Sequence, residues 1–164
     1  MKIISKFITN GYIPLIPILV WNFIFISKLP LAYKPQLFNH DIPMFIIVGE
    51  NLFRSIIFIL PLFFKLSIGK TIQRKGLVVF IVGVALYFLS WLMLIYMPES
   101  KWSNSVIGFS APAFTPVIWL VGLSLMVEKY YFFRYSKWHY ILPAIFFSIF
   151  HIYHSIYVFN RVYL

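Results

Sequence analysis

The chain has 164 residues, of which 62% are hydrophobic, 21% aromatic and only 11% charged, whereas a soluble domain carries about 25% charged residues. Its net charge of +10 comes from 14 lysines and arginines against four acids, set between apolar runs rather than gathered in one patch. Composition therefore excludes a soluble enzyme, a disordered tail and a nucleic-acid module, and predicts an all-α, polytopic helical membrane protein.

Five apolar runs are each read as a helix crossing a hydrocarbon core of ~30 Å. The first, 12–26, follows Lys2 and Lys6 in the manner of a signal peptide. No small-x-small cleavage site follows it, and it ends in Ser27, Lys28, Leu29 and Pro30, so it reads as an uncleaved first helix. The stretch from Lys28 to Asp41 is the longest connection; it contains Pro30 and Pro35 and is expected to fold over the outer mouth. The second and third runs are 42–64 and 76–97. The fourth, 105–127, is interrupted by Pro112 and Pro116 and is either a kinked span or a broken helix. The fifth is 140–159. With no repeat and short loops elsewhere, residues 1–164 form a single domain.

Basic residues set the orientation. The N-terminus and the loops after the second and fourth runs hold nine: Lys2, Lys6, Lys65, Lys70, Arg74, Lys75, Lys129, Arg134 and Lys137. The other side holds four, Lys28, Lys34, Lys101 and Arg161. The N-terminus is thus expected in the cytoplasm and the C-terminus outside, in the plasma membrane. Trp102 near the outer surface and Tyr130, Tyr131 and Trp138 near the inner one fit an aromatic belt.

Charge at mid-membrane costs roughly 2.5–3.5 kcal/mol on insertion scales, so polar residues within spans stand out. Glu50 and Arg54 share one face of the second helix, as do Asn51 and Ser55. The fifth helix carries His151 and His154. At about 1.5 Å rise per residue, Glu50 matches His154 in depth and Arg54 matches His151. If the second and fifth helices are neighbours, Glu50, Asn51, Arg54, His151 and His154 form a ligand or ion pocket. Mutual neutralisation of Glu50 and Arg54, and ordinary single hydrogen bonds for the histidines, are the structural alternatives. Asn22, Tyr87, Ser110, Thr115 and Trp119 are further candidates to line a pocket. The stripes Gly108, Ala111, Thr115, Trp119, Gly122 and Gly83, Tyr87, Ser90 equally suit close helix packing.

No cofactor or metal is expected. His151 and His154 with Glu50 lack the HExxH spacing and a second carboxylate to orient the rings. His40 and His139 lie near opposite surfaces, no lysine lies within a span, and no phosphate-binding loop is present. With no cysteine, disulfide and thiolate chemistry is absent. The number of spans, the length and the tryptophans resemble the architecture of the tryptophan-rich sensory family, which binds porphyrins and sterols. That family's Trp–Pro-rich stretch after its first helix has no counterpart among residues 28–41, so no family is assigned.

The reading is therefore a pocket that binds or passes a small molecule or ion, with Glu50 exchanging a proton with His154 and Arg54 meeting an anionic group. Two alternatives stand. One is a membrane-embedded enzyme acting on a lipid or isoprenoid, with His154 as general base, Glu50 orienting it and Arg54 holding a phosphate. The other is an accessory subunit without its own ligand. Expected partners are membrane lipids, a small-molecule or lipid ligand and a second copy of the chain, but not nucleic acid.

Overall fold

The computed structural model describes residues 9–132 and 136–163, so Lys2, Lys6 and Arg134 of the charge count lie outside the described residues. Among the described residues, four helices are long and apolar enough to cross a membrane: Met44–Phe63, Thr71–Tyr96, Val106–Met126 and Trp138–Tyr163. The first apolar run is helical over Ile13–Lys28 and is shorter than these four. Its central part, α1 (Ile16–Phe25), is flanked by 3-10 turns at Ile13–Leu15 and Ile26–Lys28. Pro14 and Pro17 sit in opening turns, where a missing N–H leaves no bond unmade.

The connection that follows is not extended. A 3-10 turn at Leu31–Tyr33 leads into a single helical turn, α2 (Pro35–Phe38). Asp41 then reverses the chain at φ 51°, a left-handed conformation that aspartate tolerates better than most residues.

Helix α3 (Met44–Ile59) tightens to a 3-10 turn at Leu60–Phe63, where Pro61 cannot continue the bond ladder. The chain then becomes extended as β1 (Phe64–Leu66). After α4 (Thr71–Tyr96) come α5 (Val106–Phe114) and α6 (Pro116–Met126), then β2 (Val127–Tyr130) and α7 (Trp138–Tyr163). The second and fourth runs, read to residues 64 and 127, leave the helix one residue earlier because Phe64 and Val127 pair in a sheet, while the third and fifth extend to Thr71–Tyr96 and Trp138–Tyr163. Strands β1 and β2 are antiparallel, with Phe64 opposite Tyr130 and Lys65 opposite Lys129. Asn10 bridges to Lys65, and Gly11 N–H donates to the Phe64 carbonyl at 3.1 Å. A Cβ on Gly11 would stand 2.8 Å from both Phe64 Cβ and the Pro61 carbonyl oxygen, which reserves this position for glycine.

The fourth run is kinked rather than broken. Thr115 keeps helical dihedrals (φ −60°, ψ −30°), and its N–H donates to the Ala111 carbonyl at 3.0 Å. Pro116 has no N–H to offer, so the ladder lapses there and resumes beyond. This helix is the centre of the bundle: 67% of its most apolar stretch is buried, against 22–33% for the other three. It lies tightly along α4, where a Cβ on Gly83 would approach Trp119 N to 2.4 Å and one on Gly122 would approach Phe80 N equally closely. Helix α3 lies along α7 with the Phe150 ring seated over Gly49 and Phe53 stacked between Phe146 and Phe150. The outward faces of these helices are apolar, with Phe23, Met44, Phe45, Val78 and Ile107 exposed, as expected of a surface that meets hydrocarbon.

Candidate functional site

The α3–α7 pairing creates the site. Gly49 removes the side chain that would hold α7 away from α3, and the next residue, Glu50, then faces α7. Glu50 is 3% exposed and meets three basic side chains. Its Oε2 lies 2.6 Å from His154 Nδ1, and its Oε1 lies 3.0 Å from His151 Nδ1. Arg54, one helical turn along α3, donates from Nη2 to Oε1 as well. Arg54 Nη1 donates to Asn51 Oδ1 at 3.0 Å, and the guanidinium lies over the Phe147 ring. His151 stacks on that same ring at 5.1 Å between centroids.

The second nitrogen of His154 reaches beyond the two helices. Its Nε2 is 3.0 Å from the carbonyl oxygen of Phe38, at the end of α2, and the Phe38 ring lies 4.3 Å from the imidazole. Arg161, two turns further along α7, donates to the carbonyls of Leu37 and His40. Tyr33 donates its hydroxyl to the Phe109 carbonyl on α5. The connection between α1 and α3 is thus held over the cluster by His154 and Arg161 from α7 and by its own Tyr33 bonded to α5.

Beneath it lies a cavity of about 290 Å³, at the small end for ligand pockets. Glu50, Asn51, Arg54, His151 and His154 all border it, as do Tyr87 and Trp91 from α4 and Phe38 from above. Tyr87 donates its hydroxyl to Asn22 Oδ1 at 2.7 Å, so Asn22 positions a wall residue without lining the cavity itself.

Ser110, Thr115 and Trp119 are not among the lining residues. They lie on the packed helix of α5 and α6: Thr115 bonds back to the Ala111 carbonyl, Trp119 packs beside Gly83, and Ser110 is buried without a partner. Four contributors are not among the site candidates read from the sequence: Tyr33, the Phe38 carbonyl, Trp91 and Arg161. Only the expectation that residues 28–41 fold over the mouth hinted at the first two.

The two imidazoles address different oxygens of one carboxylate. Among the described residues no group of three His, Cys, Asp or Glu side chains is arranged to hold a metal ion. The chemistry on offer is proton sharing between Glu50 and His154, and hydrogen-bond donation from Arg54. Compared with known protein families, characterised proteins and solved structures, the chain matches none.

Proposed function

We propose that the chain is a five-span protein of the plasma membrane whose intramembrane polar pocket binds or passes a small molecule or ion. The observation that carries this reading is the burial of Glu50, with His154, His151 and Arg54 around its carboxylate, on the wall of a cavity. A carboxylate needed only to neutralise Arg54 would not require two histidines and an adjoining space.

The fifth span is the Ile13–Lys28 helix. Two contacts support its crossing: residues 9–11 lie against β1, while residues 37–40 lie against the far end of α7. With five spans the N-terminus and the C-terminus fall on opposite sides, and the basic residues favour a cytoplasmic N-terminus. The pocket then opens toward the outside, beneath the α1–α3 connection.

A native mass spectrum of the gently extracted protein tests this reading, recorded beside Glu50→Gln. The expected result is a bound mass in the wild type that is lost in the variant. If both give the bare chain, and Glu50→Gln lowers only yield and melting temperature, the cluster serves to hold helices together and the reading falls.

A further inference from the structure

The hydrogen-bond partners of the cluster determine its charge. His154 sits between two acceptors, Glu50 Oε2 at Nδ1 and the Phe38 carbonyl at Nε2. A carbonyl oxygen only accepts, so Nε2 carries a hydrogen. A neutral imidazole has one N–H, and here it is committed to Phe38. The 2.6 Å contact with Glu50 therefore needs one more proton, resting on Nδ1 or on Oε2. In either placement Glu50 and His154 are neutral as a pair. His151 donates Nδ1–H to Oε1, and the guanidinium of Arg54 remains, on a side chain that is 42% exposed, leaving the cluster with at least one net positive charge.

The other groups facing it do not cancel that charge. Tyr33 and Tyr87 are neutral hydroxyls whose protons point to Phe109 and Asn22. Arg161 adds a further cation at the rim, among the carbonyls of Leu37 and His40, and the exposed His40–Asp41 pair is joined to itself at 2.8 Å. Glu50 is the sole acid among the residues lining the cavity. An uncompensated cation within a membrane-spanning helix is costly, and an anion is what removes the cost.

The unused hydrogen-bonding capacity has matching chemistry. Arg54 commits one hydrogen from each terminal nitrogen, leaving Nε–H and the second hydrogens. Trp91, 6% exposed and on the cavity wall, has an indole N–H that makes no hydrogen bond of full geometry; it lies beside the Tyr87 hydroxyl, which interacts with it while donating its own hydrogen to Asn22. These are donors only. Ile26, Leu29 and Ile47 supply an apolar wall beside them.

We propose that the cavity takes a small organic oxyanion, a carboxylate or a phosphate monoester, held by Arg54 and the Trp91 N–H and retained together with the proton shared by Glu50 and His154. This rests on the pocket reading above and names its ligand class. Loss of that proton at higher pH removes the excess charge and releases the anion.

Isothermal titration of the full chain in a neutral detergent tests it, with benzoate, dodecyl phosphate, inorganic phosphate and benzamidine as probes. Benzamidine has the shape of benzoate and the opposite charge. Benzoate or dodecyl phosphate is expected to bind and benzamidine is not. Binding of benzoate identifies a soluble acid, and binding of dodecyl phosphate alone identifies a headgroup; both support the proposal. Trp91→Phe keeps the ring, deletes the N–H and should weaken binding about tenfold. Arg54→Gln should weaken it about a hundredfold. Affinity should fall about tenfold per pH unit once the shared proton titrates.

Because Arg54→Gln leaves Glu50 short of a partner and can fail to fold, Trp91→Phe is decisive alone. Benzamidine binding, inorganic phosphate binding without either organic anion, binding of no probe, or anion affinity unmoved by Trp91→Phe overturns the proposal. A bound mass that depends on Glu50 would still stand in each case, which separates this failure from failure of the pocket reading.

Discussion

Nε2 of His154 and the carbonyl oxygen of Phe38 lie 3.0 Å apart, and this contact joins the α1–α3 connection to the same imidazole that meets Glu50. The connection is otherwise held at its sides, by Arg161 and Tyr33. His154→Leu removes the central contact, and a lost hydrogen bond of about 1 kcal/mol corresponds to roughly fivefold faster local opening. Hydrogen exchange of the amides of residues 33–40 should accelerate by that factor, and further in combination with Arg161→Ala. Unchanged protection in the double variant would show that Tyr33 alone secures the segment.

The contact between α4 and α6 tolerates no added carbon. Gly83→Ala sets a methyl against the backbone at Trp119, 2.4 Å from its nitrogen, so the helices must separate. A loss of about 1–3 kcal/mol is expected, read as a lower unfolding midpoint. Gly69→Ala is the control, because its nearest neighbour would be 3.5 Å away and its midpoint should not fall.

Ser110 is 2% exposed and its hydroxyl has no partner. Desolvating a hydroxyl without replacing its water bonds costs about 1–3 kcal/mol. Ser110→Ala should therefore raise the unfolding midpoint and leave ligand binding unchanged. A fall in either would mean that the hydroxyl has a partner when the pocket is filled.

Lys65 Nζ and Glu128 Oε2 are 2.6 Å apart across the small sheet. The hydrogen bond from Lys65 holds the Glu128 carboxyl below its ordinary range, assisted by the nearby charges of Lys65, Lys129 and Lys70. A depressed carboxyl stabilises the fold above its unfolded titration range, and that contribution is lost as pH falls through the folded value. Both partners are more than a third exposed, so the effect is below about 1 kcal/mol. Wild type should melt slightly above Glu128→Gln at neutral pH, with the gap closing in acid.

Much of this arrangement was legible in the sequence. Long apolar runs mark helices because lipid offers no partner for backbone groups, and Glu50, Arg54, His151 and His154 stood out because charge within such runs is costly. Rise per residue matched Glu50 with His154 in depth, and the two do meet. It matched Arg54 with His151, yet both converge on Glu50 Oε1; helical rise carries no information about how far a long side chain reaches. The small sheet leaves no signal in the sequence because Phe64–Leu66 and Val127–Tyr130 are too short to show an alternating pattern, and pairing between residues far apart in the chain leaves no local periodicity. Trp91 was hidden among many aromatics, and Phe38 enters through its backbone, which no side-chain pattern announces.

The two ends of the bundle are closed by different means. Near β1 and β2 the closure is main chain to main chain: Thr9 through Gly11, β1 and β2 form one hydrogen-bonded strip whose bonds do not depend on protonation. At the opposite end the closure is made by the side chains of Tyr33, His154 and Arg161 against four backbone carbonyls, two of them bonded by Arg161. One of these three is an imidazole whose bond depends on where its hydrogens sit. The bundle resembles a cup with a riveted base and a latched rim.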